Sequence, residues 1–314
     1  MPIVPTTSSS DRLYRNERRV LYAHRILKEQ AFIQGQTNRI DLVSGSAGVN
    51  SYSAILPMKV GAIFMTPEER ANILGESQSP APAPILIPDP VASYLPTSGL
   101  GSTWADTTGT QNATMTGNPT YSSSLGYTFN GSTQYGRIPH ANGINNFDNT
   151  DAYSVEVWFN ASSGQPLGPE DNTSILDKHN SAGQSRFPYV VRYQESQTRA
   201  RISAWDGTNF PTVYITGVPT NTWVQTVGVF DFRTGTKLLT AYKNGSSAGT
   251  VSLASVGTVS NTSDIGIAQR LEPPPDPPSK MLKGSIGLIR IYDTALSAAQ
   301  ISQVFTNTRS TFGI

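Results

Sequence analysis

The sequence predicts a mainly antiparallel β domain, a sandwich or a barrel, over residues 99–314, behind an N-terminal helical and extended arm. Three observations predict it. First, apolar residues recur at every second position: Tyr153, Val155, Val157 and Phe159 point one way, and Ser154, Glu156 and Trp158 the other. Second, the turn pairs Asn130-Gly131, Asp206-Gly207, Thr234-Gly235 and Asn244-Gly245 separate such runs. Third, hydrophobic content is 37% and charged content only 14%, a composition that suits short strands joined by many turns. Many strands with close turns argue against a βαβ fold.

The 314 residues allow one large domain plus an appendage. A net charge of +1 names no partner. The lack of cysteine excludes a disulfide framework, a thiolate zinc site and a cysteine nucleophile, and it tilts the expectation towards an intracellular assembly site. The opening MPIVPTTSSSDRLYRNERR has no apolar core of signal-peptide length. No run approaches the ~18 apolar residues of a membrane span, so a soluble chain without a membrane span is expected.

In chain order, residues 1–76 read as the arm. Ser10 or Asp11 can cap a helix over about 12–33, where Leu13, Val20 and Leu27 recur at seven-residue spacing. Its other face is basic, carrying Arg12, Arg15, Arg18, Arg19, Arg25 and Lys28. A solvated face is the plain reading of such charges. The sharper one is docking onto an acidic protein surface, with Arg12, Leu13, Arg15, Arg19, Val20 and Leu27 as the contact residues. Nucleic acid is not expected, because no base-stacking aromatics interleave with the charges. Thr66, Pro67 and Glu69 mark the start of a second, short helix at about 67–74. Residues 77–98, SQSPAPAPILIPDPVASYLPTS, read as a Pro-rich extended linker. Two short helices bury no core of their own, so the arm is expected to be ordered by a partner or by copies of itself.

Within residues 99–314, strand-like runs include Tyr127–Phe129, Tyr135–Ile138, Ile175–Lys178, Tyr189–Tyr193, Arg199–Trp205, Val213–Ile215, Trp223–Phe232, Lys237–Lys243, Asp264–Ala268 and Leu282–Tyr292. Asn244-Gly245 suits a type I′ turn. Ser297 can cap a short C-terminal helix whose Leu296, Ile301 and Phe305 are expected to plug the open edge of the domain. Glu272–Ser279, EPPPDPPS, cannot join a central ladder and reads as a stiff projecting loop. Arg290 reads as an exposed strand position.

The order of pieces carries a resemblance. GYTFNGSTQYGRIP (126–139), YSVEVWFN (153–160), ILDKHN (175–180), TWVQTVGVFD (222–231), KLLTAYKNGSSAG (237–249), SDIGIAQR (263–270) and KGSIGLIRIYDTALSAAQI (283–301) follow one another. Together they resemble the laminin G-like branch of the concanavalin A-like lectin/glucanase superfamily, over residues 104–305. The resemblance implies an antiparallel two-sheet jelly roll.

That superfamily holds enzymes, lectins and plain scaffolds, so the site must decide the function. Its retaining glucanases place two glutamates around an aspartate on one strand, at the separation double displacement needs. Here Glu156 stands alone, and Glu170 and Glu195 fall in loop-like stretches. His24, His140 and His179 are scattered, and no G-x-S-x-G elbow or P-loop occurs. No catalytic residue and no cofactor is therefore expected. Calcium is the one ion the resemblance brings in; the residues able to serve are Asp148, Asp151, Asp177 and Asp264, although none forms a D-x-D-x-D run and turn duty is the simpler role. A sugar site needs an aromatic platform with loop donors and acceptors. The best cluster is Trp205, Asp206, Asn209, Phe210 and Tyr214, while Trp158 and Trp223 read as core.

The arm's TSSSDRLYR followed by a basic amphipathic helix is similar to N-termini of virion proteins from large DNA viruses of algae and protists. Phage capsid and tail appendages with laminin G-like ends are comparable. That similarity implies a virion structural protein located in the virion. Its partners would be capsid or other virion proteins, copies of itself and host-surface glycans. The rival expectations are a free carbohydrate-binding lectin and a divergent glycoside hydrolase.

Overall fold

Residues that alternate between apolar and polar can bury one face of a strand only against a second layer, and the chain supplies one. The computed structural model describes residues 84–314 apart from 110, 167–171, 180–185, 234, 236 and 272–279. The expected arm helices, the docking residues Arg12, Leu13, Arg15, Arg19, Val20 and Leu27, and the Pro-rich loop 272–279 lie outside the described residues.

The strands are β1 (Ala92–Tyr94), β2 (Gly99–Leu100), β3 (Thr103–Trp104), β4 (Ala113–Thr116), β5 (Thr120–Ser122), β6 (Gly126–Asn130), β7 (Tyr135–Ile138), β8 (Ala152–Ala161), β9 (Thr173–Asp177), β10 (Phe187–Gln194), β11 (Arg199–Trp205), β12 (Thr212–Thr216), β13 (Val224–Asp231), β14 (Leu238–Lys243), β15 (Ser246–Ser252), β16 (Ile265–Ile267) and β17 (Lys283–Tyr292), followed by helix α1 (Ala298–Thr308). They form two antiparallel sheets. One runs β15-β14-β13-β8-β17-β6-β5, with β1 also on β17; the other runs β12-β11-β10-β9-β16-β7-β4-β3-β2. The first is called the covered sheet below and the second the groove sheet.

Between them lies the main core. Tyr153, Val155, Val157 and Phe159 of β8 face Tyr189, Val191 and Tyr193 of β10 and Ala200, Ile202 and Ala204 of β11 across it. This is the alternation read from β8, now with its partner layer. The Asn244-Gly245 turn joins β14 to β15 with φ of 48° and 77°, the left-handed pair a type I′ hairpin requires.

Two expectations need correction. The segment 77–98 is not a free linker at its C-terminal end. Ala92–Tyr94 pairs with β17 in the register Ala92↔Ile291 and Tyr94↔Ile289, and Tyr94 is fully buried. Trp104 Nε1 donates to the Leu95 carbonyl at 2.7 Å. The apolar VASYL run outweighs the surrounding prolines, because it can fill a lane beside β17.

The second correction concerns α1, which does not plug an edge. It lies across the outer face of the covered sheet. Leu296 and Ile301 pack there with Val227, Val229, Tyr242 and Tyr292. Phe305 and Phe312 stack on Trp158, with ring centroids 5.8 and 4.4 Å away. Gly287 lets Phe312 in: a Cβ there would stand 2.3 Å from its Cε1. Val227, Val229, Trp158 and Leu288 point away from the sandwich interior, so they need this cover.

Ser297 caps α1 as expected. Its Oγ accepts from Gln300 N at 3.3 Å, and Gln300 Oε1 accepts from Ser297 N at 2.8 Å. Ser297→Ala is expected to remove about 1 kcal/mol, or about 2–4 °C of melting temperature in a domain this size, by thermal denaturation.

Candidate functional site

Helix α1 covers the outer face of one sheet; the outer face of the other carries a groove. On the groove sheet, β10 and β11 pair in the register Phe187↔Trp205, Arg192↔Arg201 and Gln194↔Arg199. Their inward positions fill the core, and these outward positions carry polar and aromatic side chains, of which Phe187, Arg192, Gln194 and Arg201 are buried. A groove of about 550 Å3 runs over it, lined by Asn172, His179, Phe187, Arg192, Gln194, Arg201, Trp205, Phe210 and Arg270 among the described residues. That volume lies in the range of small-ligand pockets.

The groove floor rests on a buried ion pair. Asp177, wholly buried on β9, accepts from Arg192 Nε at 3.0 Å and from the Ser174 hydroxyl at 2.8 Å on one oxygen, which also lies 2.8 Å from Arg192 Nη2 as an ion pair. Burial pulls the Asp177 carboxyl up, but Arg192, His179 and the Ser174 hydroxyl outweigh it and hold the group below its ordinary value. The guanidinium of Arg192 is thereby fixed in place.

At one end three rings meet edge to face. Phe187 and Trp205 stand 5.8 Å apart at 63°, Phe187 and Phe210 5.8 Å apart at 88°, and Trp205 and Phe210 6.2 Å apart at 69°. Phe210 is 43% exposed. The Arg201 guanidinium sits 5.3 Å from the centre of the Phe210 ring, a cation–π distance.

The expected sugar cluster splits into two parts. Trp205 and Phe210 reach the groove. Tyr214 is exposed one strand further on, under the Arg199 guanidinium at 3.7 Å, and is not among the lining residues. Asp206 and Asn209 are occupied with the loop itself. Asp206 accepts the backbone N–H groups of Thr208, Asn209 and Gly257 at 2.6–2.7 Å, and Asn209 Nδ2 bridges Asp206 and the Ser255 carbonyl. Partial burial raises the Asp206 carboxyl, but these hydrogen bonds bring it down to about 2. The two residues set the loop that presents Phe210. The remaining lining residues, Arg192, Arg201 and Gln194 foremost, were missed. Each stands at a polar position of an alternating strand, and only the β10–β11 register puts them side by side.

The four aspartates weighed for calcium are not brought to one place. Asp148 accepts from Asn149 N, Val259 N and the Ser260 hydroxyl, and Asp151 accepts from Asp148 N, so these two hold one turn. Asp177 serves Arg192. Asp264 pairs with Arg137 at 3.2 Å and accepts from His140 N. Among the described residues no three His, Asp or Glu side chains gather as a metal-holding group.

Glu156 lies fully buried beneath the α1 side of the covered sheet. It accepts from Trp158 Nε1 at 3.1 Å, Gln225 Nε2 at 2.7 Å and Arg290 Nη1 at 3.4 Å. Arg290, read from sequence as exposed, is instead the partly buried partner of this carboxylate. Glu195 accepts the N–H groups of Gly164 and Gln165 at 2.8 and 2.6 Å. Both glutamates are committed to structure.

The sequence profile of the concanavalin A-like lectin/glucanases superfamily, in its Laminin_G_3 form, matches residues 130–302, more than half of the chain. The chain belongs to this superfamily. Solved structures share this fold. The botulinum neurotoxin serotype G binding domain superposes with a TM-score of 0.55 at 13% identity, over 71% of this chain and 52% of that one. The serotype D binding domain gives 0.53 at 13% identity, over 69% and 51%. A serotype D ligand-binding domain solved in complex with N-acetylneuraminic acid gives 0.54 at 13% identity, over 69% and 50%. The chain thus spans about half the length of these structures, and at such identity the likeness is one of fold. A search of curated protein sequences returned no match. Among the described residues no helix is long and apolar enough to cross a membrane.

Proposed function

We propose that the protein is a non-catalytic virion structural component that displays a saccharide-contacting jelly roll. The observation that carries the saccharide part is the groove on the groove sheet, lined by exposed Phe210 and partly exposed Trp205 together with Arg192 and Gln194. Sugars are bound by stacking their C–H faces on aromatic rings while polar side chains take their hydroxyls. The sialic acid complex of a structural neighbour supports this reading by analogy of fold. The engagement of Glu156 and Glu195 in structural hydrogen bonds supports a binding rather than a hydrolytic role. Placement in a virion rests on the sequence of residues 1–76 and its similarity to virion-protein arms. In this proposal the arm docks through Arg12, Leu13, Arg15, Arg19, Val20 and Leu27 onto capsid proteins or copies of itself.

The full chain is expected to bind on a glycan array, with and without added calcium, and Trp205→Ala is expected to lose at least about tenfold in affinity, the worth of one aromatic stacking contact. No glycan bound by either protein overturns the saccharide reading. Mass spectrometry of purified virions tests the location: absence from the particle, with glycan binding intact, leaves a free lectin.

A further inference from the structure

We infer that Lys178 and His140 form an acid-operated latch, which ties the loops 139–146 and 261–264 to the end of β9 and is released when His140 takes up a proton.

Lys178 follows the last residue of β9 and is wholly buried. Its amine reaches three acceptors, each of them neutral. It donates to the Ser263 carbonyl at 2.5 Å and to Asn145 Oδ1 at 3.3 Å, and it faces His140 Nδ1 at 3.3 Å. A buried cation is ordinarily held by an opposite charge. Here the carboxylate that acts on it, Asp264, is engaged elsewhere, by Arg137 at 3.2 Å and by the His140 backbone N–H at 2.8 Å. Lys178 therefore depends on its full set of neutral acceptors.

The same contacts hold the loops. Asn145 is fully buried, accepts from Ala141 N at 3.0 Å and donates to the Pro139 carbonyl at 2.8 Å. Its own carbonyl takes the Tyr189 hydroxyl of β10 at 2.9 Å. Asn261 Nδ2 donates to the carbonyls of Lys178 and Arg186 at 2.8 and 2.9 Å, and its Oδ1 accepts from Ser263 N at 2.9 Å. Lys178 Nζ thus bridges one loop to the other from the end of β9.

His140 is half-buried, and its charge changes in the physiological range. With a lone pair on Nδ1 it accepts from the Lys178 ammonium. A protonated imidazole carries hydrogens on both nitrogens, so N–H would face N–H across 3.3 Å with two like charges in a poorly solvated site. The imidazolium is driven towards solvent, and the buried ammonium is left short of an acceptor. Burial and the Lys178 charge press the His140 pKa below its ordinary value, against the pull of Asp264 and Asn142. The contribution of His140 is thus complete above about pH 6.5 and is lost as pH falls through its folded-state value. Burial brings Lys178 down to about 7, so its own titration is centred there and leaves the acid side to His140.

Hydrogen–deuterium exchange of the full chain at pH 7.5 and pH 5.0, with labelling times scaled for the chemical exchange rate, reads the latch. At pH 5.0 the parent is expected to lose at least about tenfold in protection over 139–146 and 261–264, the worth of one hydrogen bond to a charged group, while β8 and β13 keep theirs. His140→Asn leaves an acceptor of similar reach that does not titrate, and it is expected to keep the same protection at both pH values. His24 and His179 are present in both proteins, so the difference between them belongs to residue 140. Equal losses in parent and variant, or no loss in the parent, overturn the latch. Should the variant fail to fold, a pH series on the parent decides. Protection in the two loops must then fall with a midpoint below about pH 6.5; a higher midpoint, or none, overturns the proposal.

Discussion

Arg192→Ala is expected to destabilise the fold by roughly 3–5 kcal/mol at neutral pH, the usual loss when one member of a buried ion pair is removed. Asp177 has no exposed surface, and Arg192 makes two contacts with one of its oxygens. Without the guanidinium, the carboxylate is left in the sandwich wall with Ser174 and His179 as the remaining favourable influences. The pH dependence gives the effect a signature. In the parent chain the carboxyl is held below its ordinary value, so its contribution is present above about pH 4 and is lost as pH falls through the folded-state pKa. In the variant burial dominates and the pKa rises, so the deficit is largest near pH 7 and narrows towards pH 4. Urea denaturation at several pH values reads this directly. The double variant Arg192→Ala with Asp177→Asn should recover much of the loss, because no charge is then stranded. A deficit below about 1 kcal/mol at every pH would show that the pair behaves as a solvent-screened one.

Ending the chain after Thr294 is the second large perturbation. It removes α1 and the terminal turn and strips the cover from Trp158, Leu288, Val227, Val229 and Tyr242. Each large apolar side chain returned to water costs about 1.5–3 kcal/mol, so the sum exceeds the ordinary margin of a domain. The truncated chain should aggregate or lose its cooperative thermal transition by calorimetry. A soluble product with an unshifted melting temperature would contradict the role assigned to the C-terminal segment. Phe312→Ala is the milder form, expected at about 3–5 kcal/mol, since its ring fills the space between Trp158, Trp223 and Gly287.

Why the sequence revealed the fold more fully than the groove follows from what each depends on. Two-residue alternation is local, so β8, β11, β13 and β17 could be placed to within a residue or so of their observed ends. The turn at Asn244-Gly245 is local too, since both residues need positive φ. By contrast β1 hides among prolines, and it becomes a strand only because β17 offers it an edge. Which outer face α1 covers is decided by outward apolar residues scattered over β8, β13 and β17. The groove is a product of register. Trp205 and Phe210 were legible as an aromatic cluster, but Arg192 and Arg201 lie nine positions apart in sequence and meet only when β10 pairs with β11. Asp206 and Asn209 looked like ligand contacts because turn residues and binding residues share one chemistry; only the hydrogen bonds to Gly257 and Ser255 assign them to the loop.

Hydrogen–deuterium exchange on the full chain, with and without the strongest saccharide from the glycan array, tests the central claim most directly. The account predicts slowed exchange confined to residues 187–194, 199–205 and 209–216, with the strands beneath α1 unchanged. Protection that falls on the covered sheet instead, or no protection at saturating saccharide, would contradict it.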